Sequence, residues 1–135
     1  MCIRDSCYFD ADASGKYQRS FRNESLDAKD LTNRGRNRVR PFIDWCRENQ
    51  VRGFVGEFGS PPNDEWRKVT ERFLDACIED DVVVCYWATG EWWGNYPLSI
   101  QPPANSESTA PQLRWLKQAN DARNAIGAEK LWKKN

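Results

Sequence analysis

The sequence predicts an α/β fold built on a parallel sheet, and three observations predict it. Elements alternate along the chain as strand end, loop, helix, strand, helix, strand, loop, helix. Both full strands, "GFVGEF" and "VVVCYW", run apolar without polar alternation, as strands covered on each face do. No GxGxxG, and no GxxxxGK followed by Ser or Thr, comes after either strand, so a phosphate-cradling version of the fold has no support. The candidates left are an open doubly wound sheet and a (β/α)8 barrel. A closed barrel needs about 250 residues, so on the barrel alternative a 135-residue chain would be an incomplete (β/α)8 TIM barrel, a piece of something larger.

Taken in order, residues 1–6, "MCIRDS", resemble a translated adapter remnant and are set aside from fold reasoning. From Cys7, "CYFDADASGKYQRSF" reads as a strand end entering a polar loop that continues to about Asn33. Asp10 and Asp12 are expected to brace the turn around Ser14 and Gly15 through side-chain to backbone hydrogen bonds. Val39, Phe42, Ile43 and Cys46 then repeat at three- and four-residue steps, predicting an amphipathic helix over about 34–49. Pro41 places its regular part near Val39 or Arg40. "GFVGEF" follows as a buried strand. "NDEWRKVTERFLDACIED" carries Asn63 or Asp64 as N-cap, acids in the first turn, and Trp66, Val69, Phe73 and Cys77 on one stripe. Val82–Trp87 is the second buried strand. A long Gly/Pro/Ser-rich loop and a final helix from Pro111, with Gly127 as its stop, complete the chain.

Composition removes several functions. The chain has 20 Lys+Arg against 20 Asp+Glu with no long basic block, so neither nucleic acid nor an anionic membrane surface is the expected partner. No apolar run approaches the ~18 residues of a membrane span. The absence of histidine excludes Ser-His and Cys-His nucleophilic pairs and His-ligated metal within the chain. The five cysteines make no CxxC pair, and Cys46, Cys77 and Cys85 read as small buried hydrophobes. Seven tryptophans are a heavy load of flat ring surface. Some fill the core, and some are candidates for lining a groove.

In a parallel barrel, functional groups come from the C-terminal ends of strands. Three such ends are visible: Tyr8, Glu57 and Trp87. Each has a structural alternative: Tyr8 as a cap on the core, Trp87 as packing, Glu57 as a salt-bridged carboxylate. Glu57 is the hardest to explain structurally, because an unpaired carboxylate at the end of a buried strand is costly. A carboxylate beside flat aromatic faces suits sugars, whose rings stack on indole while their hydroxyls take hydrogen bonds. Hydrolysis of a glycoside with retention needs two carboxyl groups about 5–5.5 Å apart.

The segments "CYFDADASG", "GFVGEFGSP" and "CYWATGEWWGNYPLSIQP" resemble, in order, the last third to half of the catalytic domain of a glycoside hydrolase family 5 cellulase. The resemblance runs from about residue 7 to 117. It implies a sector from the end of barrel strand six through helix eight, with residues 7–135 the C-terminal fragment of a retaining β-1,4-glucanase. It further implies Glu57 as nucleophile, Tyr8 as the residue orienting it, and Trp87 as the stacking platform at the cleavage point. Trp93 and Glu91 are additional candidate substrate contacts, with Trp92 and Trp93 either extending the sugar groove or packing the loop. The family's histidine before the tyrosine would fall at Ser6, and its acid/base glutamate would lie upstream of residue 1, in a missing N-terminal half of the domain. The resemblance implies no metal or organic cofactor, a β-glucan substrate, and a secreted or periplasmic parent. The alternative is a non-catalytic carbohydrate-binding or structural fragment.

Overall fold

The structure, a computed structural model, describes residues 1–102 and 109–132, with side chains described as far as residue 126 in the last helix. Residues 103–108 of the Pro/Ser-rich loop lie outside the described residues. Three parallel strands, β1 (Cys2–Ser6), β2 (Gly53–Phe58) and β3 (Val83–Tyr86), form one sheet in the order β1-β2-β3. The helices are α1 (Phe21–Asp27), α2 (Arg34–Glu48), α3 (Asp64–Glu79) and α4 (Pro111–Trp132), with short 3-10 turns at Leu31–Asn33 and Glu91–Trp93.

The first strand is a departure from expectation. The segment set aside at the start of the chain pairs with β2 in the register Cys2↔Gly53 through Ser6↔Glu57. Its side chains alternate between half-buried and exposed, with Ile3 63% exposed. A strand of two apolar residues followed by three polar ones lacks the continuous apolar signal that marks β2, so its sequence did not announce it. The loop expected to Asn33 also contains α1, started by Ser20, whose hydroxyl accepts from the Asn23 N–H.

Helix α2 fills the range expected for it, and its regular part starts at Arg34, ahead of the point inferred from Pro41. Proline removes one intrahelical donor, and here both Pro41 and Asn37, whose carbonyl loses that donor, are exposed. The turns before Pro41 are held instead by tertiary contact. A Cβ on Gly35 would lie 2.9 Å from the Phe9 ring and 3.1 Å from Phe73 Cβ, so only glycine lets the helix approach this closely. Helix α3 follows its pattern: Asn63 Oδ1 accepts from Trp66 N at 2.9 Å, Asp64 and Glu65 occupy the positive end, and Trp66, Val69, Phe73 and Cys77 are buried.

The core lies between the sheet and α2 and α3, around Phe9, Phe58 and Phe73, whose rings stand 4.9 to 6.5 Å apart. Each such ring contributes roughly 1.5–3 kcal/mol by leaving water. Strand β3 is shorter and more open than expected. Val83, Val84 and Tyr86 are half-buried, and Cys85 is exposed rather than buried. Among the described residues it has a paired neighbour on one side only. An apolar groove of about 440 Å³, lined by Phe58, Leu74, Val84, Tyr86 and Leu116, runs between it and α4. Cys46 and Cys77 are buried, as read, and no described cysteine is bridged. Helix α4 passes through Gly127 to Trp132 instead of stopping there. Among the described residues no helix is long and apolar enough to cross a membrane.

Candidate active site

The ends of the strands converge. The ladder between β1 and β2 closes with Cys7 N donating to Glu57 O at 2.8 Å, and Trp87 N donates to Phe58 O at 2.7 Å. A Cβ on Gly59 would meet Trp87 O at 2.4 Å, so the two strand ends press backbone against backbone, which a larger residue would block. The β2–β3 register shifts between Val55 and Phe58. That irregularity lets both Val55 and Phe58 pack in the core while Gly56 and Glu57 stay half-buried outside it. An apolar strand therefore ends in a carboxylate without burying its charge in the core.

The Tyr8 hydroxyl donates to Glu57 Oε1 at 2.5 Å, the short distance of a charge-assisted O–H···O⁻ bond. The carboxylate's partner is a phenol, and among the described residues no lysine or arginine takes that role. Burial first, and then the Glu57 acceptor, push the Tyr8 phenol pKa up, so it stays a donor. Its ring rests on Gly15, where φ is +74° and a Cβ would come within 2.8 Å of it. The loop behind is clamped. Arg38 donates to the carbonyls of Tyr8 and Asp10 at 2.6 Å and of Ala11 at 2.9 Å. Arg34 donates to Phe9 O at 2.9 Å and pairs with buried Glu24, which accepts from Ala11 N at 3.1 Å. Asp10 accepts from Ser14 Oγ, Gly15 N and Tyr17 N, and Asp12 from Ser14 N, the turn bracing expected of these two residues. No group of three or more potential metal ligands occurs among the described residues.

On the β3 side, Trp87 is half-buried at the strand end, where its peptide bond to Ala88 is cis. Trp93 packs edge-on against it with ring centres 4.9 Å apart, and Tyr96 stands 5.3 Å beyond Trp93. Trp93 is half-buried against Trp87, whereas Trp92 is 92% exposed. Glu91 opens the same 3-10 turn as an exposed carboxylate. Three residues at the site had no sequence signal of their own: Arg38, Tyr17 and Tyr96. The Tyr96 phenol pKa is raised by burial and then by the Glu57 charge, which places it in the field of that carboxylate. Its position three residues after Trp93 in an aromatic loop was the one available hint.

A three-stranded parallel sector with a hydrogen-bonded carboxylate and an indole at its C-terminal rim is the architecture of one side of a (β/α)8 barrel enzyme. Residues 8–92 match the cellulase family, glycosyl hydrolase family 5, and the chain belongs to that family. A probable endo-β-1,4-glucanase B of Neosartorya fischeri is 31% identical over 102 residues, covering 73% of this chain and 28% of that protein. Endo-β-1,4-glucanase B of Emericella nidulans is 32% identical over 98 residues, covering 70% and 27% respectively. The crystal structure of Pseudomonas stutzeri endoglucanase Cel5A superposes with a TM-score of 0.72 at 32% identity, over 87% of this chain and 34% of that one. XacCel5A, solved in complex with cellopentaose, also gives 0.72, at 28% identity over 87% and 35%. The fold is an incomplete (β/α)8 barrel, and the chain spans less than a third of the length of these curated relatives.

Proposed function

We propose that this chain carries the nucleophile side of a retaining β-1,4-glucanase site, with Glu57 as nucleophile. The observation that carries the reading is the Tyr8–Glu57 hydrogen bond of 2.5 Å at the strand ends, on the rim that also bears Trp87. The phenol stays protonated and donates to one carboxylate oxygen, which fixes the carboxylate's orientation and leaves the other oxygen free to attack. In the first step a Glu57 oxygen bonds to the anomeric carbon as the glycosidic C–O bond breaks. A second carboxyl, assigned to a residue upstream of residue 1, gives its proton to the departing oxygen. In the second step that group takes a proton from water, which displaces Glu57 and restores the anomeric configuration. Trp87 stacks under the sugar ring at the cleavage point. Trp93 holds the Trp87 indole edge-on, and Glu91 is an outer contact on the same loop. No cofactor enters this chemistry.

The substrate assigned is a β-1,4-linked glucan, in keeping with the relatives' names and the cellopentaose-bound neighbour. A polymeric glucan does not cross the cytoplasmic membrane, so the parent acts on the far side of that membrane, outside the cell or in the periplasm. The 135-residue chain by itself should turn over glucan roughly a thousandfold slower than a domain holding both carboxyls. The test is Glu57→Gln in the complete catalytic domain. Hydrolysis of a soluble glucan should fall by about a thousandfold or more while cello-oligosaccharide affinity, read by tryptophan fluorescence, stays within a few-fold. Undiminished hydrolysis would remove Glu57 from the mechanism.

A further inference from the structure

We propose that Tyr17 is a positioning residue for the Tyr8–Glu57 pair, acting through a hydroxyl bridge that spans the two strand ends; the inference rests on the reading of Glu57 as the reacting carboxylate. Tyr8, two residues past the end of β1, and Glu57, in β2, are 49 positions apart in sequence. The last ladder bond between those strands is Cys7 N to Glu57 O. Beyond it the strands part into separate loops, and the ladder no longer sets the level of one against the other. Tyr17 supplies the next link. Its hydroxyl accepts from Phe9 N, the residue after Tyr8, at 3.1 Å, and donates to Gly59 O, two residues after Glu57, at 2.5 Å. A single oxygen thus replaces the missing rung.

Two further observations point the same way. Tyr17 is held in the left-handed region at φ +47°, a conformation that bulky residues seldom adopt and that persists only where surroundings enforce it. Asp10 Oδ2 accepts from its N–H at 3.2 Å, and its ring meets Trp66 edge-on at 4.8 Å. Ring packing alone would be met equally by phenylalanine, so what the hydroxyl adds is the bridge. A donor–acceptor distance of 2.5 Å tolerates little drift, and loss of the bridge frees Tyr8 to move relative to Glu57. Tyr17 touches neither sugar nor the reacting oxygen in this account; it acts through Tyr8.

The experiment is Tyr17→Phe, which keeps the ring and removes the bridge, in the complete catalytic domain. The expected result is a kcat about tenfold lower with KM within about twofold. It should come with faster solvent exchange of the low-field Tyr8 hydroxyl proton, identified in NMR spectra by its loss in Tyr8→Phe. An unchanged Tyr8 hydroxyl signal in Tyr17→Phe would overturn the proposal, whatever the effect on stability. So would collapse of the near-UV spectrum, which would mark Tyr17 as structural only. Full hydrolysis by Glu57→Gln would instead defeat the nucleophile assignment, and the hydroxyl signal would still report separately on Tyr17.

Discussion

The loop after β1 and the loop after β3 both face the same rim, yet they are built differently. The first is locked by charge-assisted bonds from Arg34 and Arg38 to four backbone carbonyls, by buried Asp10 and Glu24, and by the Tyr17 bridge. Over its described residues the second is held mainly by its own turns, with Gln112 Nε2 of α4 donating to Pro97 O at 3.1 Å. Ile100 N donates to Ala88 O, Gln101 Oε1 accepts from Gly90 N and Thr89 Oγ1, and buried Leu98 is its apolar anchor. The contrast follows what each presents. A phenol must meet a carboxylate within tenths of an ångström, because a hydrogen bond weakens steeply with distance and angle. An indole that stacks on a sugar works over a broad, soft potential and needs far less restraint.

This comparison breaks most directly at Arg38. Arg38→Ala strands three carbonyls in the first loop and should cost about 2–4 kcal/mol, read as a lower urea midpoint. No single polar substitution in the second loop should match it, and one that did would erase the distinction. The alkaline limb is the next effect. Tyr8 and Tyr17 in the first loop both have raised phenol pKa values, caused chiefly by burial. The unfolded chain releases these protons near pH 10 while the folded chain keeps them, so stability is intact below pH 10 and falls above it. Each such phenol contributes a slope of at most about 1.4 kcal/mol per pH unit. Tyr8→Phe should flatten that limb by up to one proton, whereas an unchanged slope would show Tyr8 to be readily ionised. The smallest effects sharpen the second loop. Trp93→Ala should cost about 1 kcal/mol through loss of its contacts with Trp87 and Tyr96. Trp92→Ala, at a fully solvated ring, should stay within about 0.5 kcal/mol in thermal melts.

Much of this frame was legible from the residues. The α3 stripe, its Asn63 cap, the apolar β2, and Tyr8, Glu57 and Trp87 at strand ends all follow from local periodicity and element order. What was not legible was what distant segments do to one another. The alternating CIRDS strand exists because β2 pairs with it. Helix α2 runs ahead of Pro41 because Gly35 seats against Phe9 and Phe73. Cys85 is exposed because it alternates with Val84 and Tyr86, which face the groove toward α4, and so lies on the opposite face of the sheet.

By itself the sequence determined the α/β alternation, which residues end the strands, and the family to which they belong. The alternation and the strand ends are set by spacing and side-chain chemistry within a few turns of chain, and the family by the resemblance that three segments carry. Only the tertiary structure decided that Arg38 clamps the first loop, that Trp93 packs against Trp87 while Trp92 stays exposed, and that Tyr17 joins two strand ends. These are contacts between segments far apart in sequence, selected by how the packed core brings loop ends together, and local residue pattern carries no record of them.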